Sequence, residues 1–174
     1  PYGLTKLVCE EMLRDESASM RTIAIRLPGV IGPKSERNWL SRSLVAAYAG
    51  EDIRVFNAEA PFNNAVHVAD LCDFSAGLIE RDWEGFDVVT LGAASQLPVG
   101  TVAKLLAEGA ARGSRVIIES SKRSSYRISS MRAQRQYGYA PMSIEAMLAR
   151  FIAENSDFST PDGASRGGKI DGIH

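Results

Sequence analysis

Residues 22–33 read Thr-Ile-Ala-Ile-Arg-Leu-Pro-Gly-Val-Ile-Gly-Pro. The first six are apolar or β-branched except for Arg26, a pattern that suits a short strand covered on both faces. Pro28-Gly29 then stops it, and Gly32-Pro33-Lys34-Ser35 reads as loop. Upstream, residues 5–20 carry Leu7, Val8, Met12 and Leu13 at helical spacing and close in a polar Arg-Asp-Glu-Ser stretch. Downstream, a helix is expected over residues 39–49, closed by Gly50, with short strands over 53–56 and 65–68. Asp70 stands at the start of the next helix, where a carboxylate complements the open N–H groups of the first turn. A second buried strand spans residues 86–91 and ends at Gly92. A helix over 99–112, a strand over 115–119 and short helices over 131–137 and 144–154 complete the order. Strands alternating with helices give an α/β fold. From Asn155 the sequence turns rich in Ser, Gly and Asp, and little packed structure is expected there.

The composition narrows the functional class. Of 174 residues, 45% are hydrophobic and 24% charged, with a formal net charge of -1, an ordinary composition for a soluble domain with a core of its own. That balance offers no footprint for nucleic acid, and no basic run suits a membrane surface. No apolar stretch approaches the roughly 20 residues of a spanning helix, and no signal-peptide pattern opens the chain. Cys9 and Cys72 fit no metal spacing, so no metal site is expected and a reduced, cytoplasmic setting is the default. Both lie on helical patterns and read as small packed residues. The chain opens Pro1-Tyr2 with no initiator methionine, as a processed chain or a fragment would.

The chemistry-bearing candidate is Tyr2-Gly3-Leu4-Thr5-Lys6. On a helix, residues four apart share a face, so phenol and ammonium point the same way. A free phenol titrates near 10 and transfers protons poorly at neutral pH. Lowering that value by about three units takes roughly 4 kcal/mol of differential stabilisation, which a neighbouring cation helps to supply. A phenol tuned in this way can take a proton from a substrate hydroxyl as hydride leaves for a cofactor. Taken alone, the spacing fits a helix-surface pair better than a catalytic one. His67, alone in an apolar strand, reads as a hydrogen-bonded structural residue. Glu10, Glu11, Arg14, Asp15 and Glu16 read as a solvated helix face.

The motifs taken together resemble the extended short-chain dehydrogenase/reductase family of NAD(P)-dependent epimerases and dehydratases. Tyr2 and Lys6 match its Tyr-x-x-x-Lys. Arg26 to Pro33 is similar to its Arg-x-x-Asn-Val-x-Gly-Pro, and Asn63 to Leu71 to its Arg-Asp-x-x-His-Val-x-Asp-Leu. Val89 to Gly92 resembles its Asn-x-Gly strand. Arg127 to Ala133 with Tyr137 to Pro141 resembles its closing Asp-x-Ser-x-Ala and Leu-Gly-x-x-Pro. The segments stand in family order across residues 2–151. The resemblance implies the last strands and helices of a doubly wound, Rossmann-like parallel sheet plus a small α/β substrate-binding lobe within residues 1–154, followed by a polar, flexible tail over 155–174. It implies Tyr2 as acid/base, Lys6 as its partner and as a holder of the nicotinamide ribose, and Pro28, Gly29 and Val30 against the nicotinamide of NAD or NADP. Gly29, Asn63, Asn64 and Arg123 would face the substrate, a sugar or nucleotide-sugar. The intact protein would be a homodimer through the helix that carries the Tyr/Lys pair.

Parts of the family pattern are missing. No Gly-x-x-Gly-x-x-Gly follows a strand, and the Ser/Thr that precedes the Tyr in the family is absent. The dinucleotide half is therefore expected to lie outside this chain, leaving the chain alone inactive and strand 22–27 short of a neighbour on one edge. Gly29 replaces the usual Asn, and Asn63 stands where the family has an Arg that grips a diphosphate. Two alternatives stay open: an NAD(P)-dependent ketone or aldehyde reductase of the same superfamily, and a non-catalytic dinucleotide-sensing relative.

Overall fold

The computed structural model describes residues 2–120 and 126–159. Helix α1 (Tyr2–Asp15) carries the good helix formers Leu4, Lys6, Leu7, Glu10, Glu11, Met12, Leu13 and Arg14 without an internal proline, and runs into a single 3-10 turn, Glu16–Ala18. Strand β1 (Thr22–Arg26) pairs in parallel with β6 (Phe86–Thr90), Ala24 lying opposite Val88. The alternation along β1 sends Thr22, Ala24 and Arg26 to one face and Ile23 and Ile25 to the other. Helix α1 covers the first face, where the Thr22 hydroxyl donates to the Leu13 carbonyl at 2.8 Å. The second face packs against α3 (Val68–Ile79) and α5 (Met131–Tyr137) through Val66, Phe74, Leu78, Val89, Leu91 and Tyr137. Among the described residues, β1 has no strand on its other edge.

Three more strand pairs carry the chain away from this layer. Strand β2 (Gly29–Ile31) lies parallel to β5 (Ala65–His67), and β3 (Ile53–Phe56) parallel to β8 (Val116–Glu119). Strand β4 (Pro61–Phe62) runs antiparallel to β7 (Leu97–Pro98). Helices α2 (Trp39–Tyr48) and α4 (Val99–Ala110) pack on β3, and α6 (Ile144–Glu154) packs on α4, around a second core that includes Leu44, Ile53, Val55, Leu106, Leu148 and Phe151. The architecture is thus α/β with short strand pairs, parallel except for β4–β7, and the α/β class is the one the sequence implies.

Several local expectations change. The first helix ends at Asp15, because Glu16 to Ser19 tighten into 3-10 geometry, with the Ser19 N–H on the Glu16 carbonyl at 3.0 Å. Strands β2, β4 and β7 are too short to show a period in sequence and exist through long-range pairing. Asp70 stands in the first turn of α3 as expected, but the residue that caps the helix is His67, its Nδ1 accepting from the Ala69 N–H at 3.1 Å, while Asp70 Oδ2 accepts from the Met142 N–H at 2.9 Å. Cys9 and Cys72 are exposed rather than packed, since each falls on the outer side of its helix. Asn155, where packed structure is expected to stop, is buried. Its Nδ2 donates to the Phe151 and Gly32 carbonyls and its Oδ1 accepts from the Lys34 N–H. Residues 160–174 lie outside the described residues.

Candidate active site

Helix α1 runs antiparallel to β1. Its Leu13 end meets Thr22, and its Glu10 meets Arg26 at the carboxyl end of the strand. At about 1.5 Å of rise per residue, Lys6 and Tyr2 extend beyond that strand end by roughly 6 and 12 Å. In an open parallel sheet this is the edge at which ligands bind. The Lys6 Nζ lies 5.4 Å from the Tyr2 ring centroid, so the helical spacing does bring the two groups together. Tyr2 is 77% exposed, and no side chain among the described residues of α1 is buried.

Leu27 and Pro28 link β1 to β2, so Pro28, Gly29 and Val30 stand at the same strand end. The Val30 carbonyl accepts from the Asn38 Nδ2 at 2.9 Å, and the Asn38 Oδ1 accepts from the Ser41 N–H, also at 2.9 Å. Asn38 therefore caps α2 and ties it to β2 at once. A Cβ on Gly29 would stand 3.4 Å from the Asn38 Cβ and 3.6 Å from the Asn64 carbonyl oxygen. Asn38 was readable as a helix N-cap, being an Asn directly before the apolar run from Trp39. Beside it opens a cleft of about 410 Å³ lined by Val30, Lys34, Ser35, Glu36, Arg37 and Asn38.

Asn63 and Asn64 stand side by side but differ in what they offer. Asn63 is buried and clips one backbone segment: its Nδ2 donates to the Ile128 carbonyl at 2.7 Å and its Oδ1 accepts from the Ile128 N–H at 2.9 Å. That leaves its amide oxygen occupied by protein. Asn64 donates from Nδ2 to the Tyr126 carbonyl at 3.2 Å, but its buried Oδ1 accepts from no group among the described residues. An unsatisfied buried acceptor costs free energy until a donor reaches it. Arg123 lies outside the described residues.

His67 is fully buried. With Nδ1 accepting from the Ala69 N–H, its proton sits on Nε2, which donates to Glu154 Oε2 at 2.9 Å. Burial alone would raise the Glu154 carboxyl, but hydrogen bonds from Arg150 and His67 outweigh it and hold the group below its ordinary value. His67 is a strut between β5 and α6, as its apolar setting suggested.

No family model and no curated protein matches the sequence. The fold, however, has close likenesses among solved structures. The UDP-glucose 4-epimerase of Thermotoga maritima, solved with UDP-glucose, superposes with a TM-score of 0.72 at 20% identity over 88% of this chain and 52% of that one. An RMD structure from Pseudomonas aeruginosa complexed with NADPH gives 0.73 at 16% identity, over 90% of this chain and 56% of that one. A protein solved with UDP-glucuronic acid and NAD gives 0.69 at 22%, over 91% and 55%. The chain has the fold of the C-terminal part of NAD-dependent epimerase/dehydratase enzymes, the extended short-chain dehydrogenases, and it spans about half the length of these structures.

Proposed function

We propose that this chain supplies the acid/base pair and the substrate lobe of an NAD(P)-dependent epimerase or dehydratase acting on a sugar or nucleotide-sugar. It would work with a glycine-rich half that binds the dinucleotide. The observation that carries the reading is the Lys6 ammonium over the Tyr2 ring at the carboxyl end of the β1–β6 layer. The neighbours named for UDP-glucose, UDP-glucuronic acid, NAD and NADPH support the substrate and cofactor classes.

In this reading Tyr2 takes the proton of a sugar hydroxyl, and Lys6 stabilises the phenolate and meets the ribose hydroxyls. A bound nicotinamide would supply the hydride acceptor and donor. Pro28, Gly29 and Val30 would be the residues that hold it, with Val30 tied to Asn38. The Asn64 Oδ1, without a donor among the described residues, fits a group that donates, a sugar hydroxyl or a carboxamide NH2. Arg123 and Asn63 complete the proposed substrate side, and the assembled enzyme is a homodimer through α1. Asn63 also supports a second reading, a ketone or aldehyde reductase: its amide is committed to Ile128, which weakens any grip on a diphosphate.

The test is an assay of the complete enzyme with nicotinamide dinucleotide and either UDP-sugars or simple ketones. Conversion of a UDP-sugar to its epimer or dehydrated product, with no net formation of reduced nicotinamide, is the expected result. Turnover of ketones alone would select the reductase, and hydride transfer with neither would overturn both readings.

A further inference from the structure

The Tyr2–Lys6 pair depends on a cation that stays with the phenol, and the same helix holds an anion able to draw it away. Lys6 and Glu10 stand four residues apart on α1, where ammonium and carboxylate attract each other, even though lysine ahead of glutamate is the weaker order. That pair does not form. Both Glu10 oxygens are taken by Arg26 at the end of β1, Nε to Oε1 at 2.9 Å and the terminal nitrogen to Oε2 at 2.7 Å. The contact is the planar, two-bond match that guanidinium makes with carboxylate and that ammonium cannot. It leaves the Glu10 side chain 15% exposed on a helix whose residues are otherwise open to solvent. The Arg26 hydrogen bond holds the Glu10 carboxyl below its ordinary value, against the opposing effect of burial.

The other charges packed near α1 are committed elsewhere. Glu11 pairs with Arg14 at 3.4 Å, and the Arg14 guanidinium lies 4.9 Å from the Phe86 ring centroid. Asp87 belongs to the opposite face of β6, held there by Arg132 and Tyr137. Lys6 has no ion pair among the described residues, and its contact is the Tyr2 ring.

We propose that Arg26 is a positioning residue for the acid/base pair: by sequestering Glu10 it keeps Glu10 off Lys6, so that the lysine charge acts on the Tyr2 phenol. Its catalytic meaning rests on the proposed roles of Tyr2 and Lys6. The electrostatic claim itself does not require turnover.

The test is an ultraviolet titration of phenol ionisation on the chain. A Tyr2→Phe chain is subtracted so that the difference reports Tyr2. Arg26→Ala releases Glu10 onto Lys6, and the Tyr2 midpoint is expected to rise by about half a pH unit, the size of a screened charge contact at a surface. Arg26→Ala with Glu10→Gln removes the released anion and is expected to restore the original midpoint. A role confined to holding the helix in place would leave the double variant shifted like the single one, and that result overturns the proposal, as does an unshifted single variant. Should Arg26→Ala fail to fold by circular dichroism, Glu10→Gln alone decides. An unchanged midpoint shows that Arg26 already isolates Glu10, and a lowered one shows that Glu10 acts on Lys6 despite it. Turnover of the complete enzyme is scored separately: Tyr2→Phe with full activity would remove the proposed reaction while leaving the titration result intact.

Discussion

The lobe around β3 and the strip formed by α1 and β1 are held by different means. In the lobe, Ile53, Leu106, Ile144, Leu148 and Phe151 are nearly or completely removed from solvent, and three helices share one core. In the strip, α1 buries no residue, and Leu4, Leu7, Val8 and Met12 are all at least half exposed. What attaches the helix is polar: Thr22 to the Leu13 carbonyl and Glu10 to Arg26. The lobe has the apolar contacts of an autonomous core, whereas the helix carrying the proposed chemistry depends on geometry it does not enforce by packing. The apolar stripe of α1 is of the kind that a partner surface covers.

The contrast can be broken most directly by truncating one core residue on the lobe side. Leu148→Ala is expected to destabilise the chain by about 2–5 kcal/mol, read from denaturant unfolding, because its neighbours cannot collapse onto the void. A loss below about 1 kcal/mol would mean that the lobe is loosely packed and the contrast false. Asn155→Ala comes next, at roughly 2 kcal/mol, since it strands the Gly32 carbonyl and the Lys34 N–H where its buried amide now joins α6 to the loop after β2. An unchanged midpoint would show that water replaces those bonds.

A pH series sharpens the comparison at β6, between the two regions. Burial alone would raise Asp87, but hydrogen bonds from Tyr137, Arg132 and the Val88 N–H outweigh it and hold the carboxyl below its ordinary value. Burial first, and then Asp87, push the Tyr137 phenol up to about 12. For the depressed carboxyl, the stability gained is present above the unfolded value near 4 and is lost as pH falls through the folded one. For the raised phenol, the gain is present below the unfolded value near 10 and is lost as pH climbs towards about 12. Asp87→Asn should therefore flatten the acid limb of the stability profile and shrink the alkaline one. An acid limb identical to wild type would show that Asp87 is not its source. The smallest effect is expected on α1. Met12→Ala, at a side chain 63% exposed, should change stability by no more than about 0.5 kcal/mol. A cost above about 1 kcal/mol in the chain would mean that the α1 face is covered.

How much of this the sequence disclosed follows from the range of the interactions involved. The strands β1 and β6, the helices α5 and α6 and the Tyr2–Lys6 pair rest on local period or spacing, and each stands where its residues imply. Strands β2, β4 and β7 rest on pairing between distant segments, which no window of residues contains. His67 as the cap of α3, and Asp70 freed to bind the Met142 N–H, likewise depend on the third dimension. Glu10 read as one of several surface charges because Arg26 lies 16 residues away in sequence. Asn63 and Asn64 are both read as facing the substrate, and only the position of the Ile128 backbone distinguishes the occupied amide from the one whose acceptor has no partner among the described residues.

The central claim is that the Tyr2 oxygen moves the proton. It is tested by replacing Tyr2 with Phe in the complete enzyme and measuring turnover and dinucleotide affinity side by side. The account predicts a loss of turnover of about 10²–10⁴-fold with cofactor affinity nearly unchanged, because only the acid/base oxygen is removed. Wild-type turnover in Tyr2→Phe would contradict it.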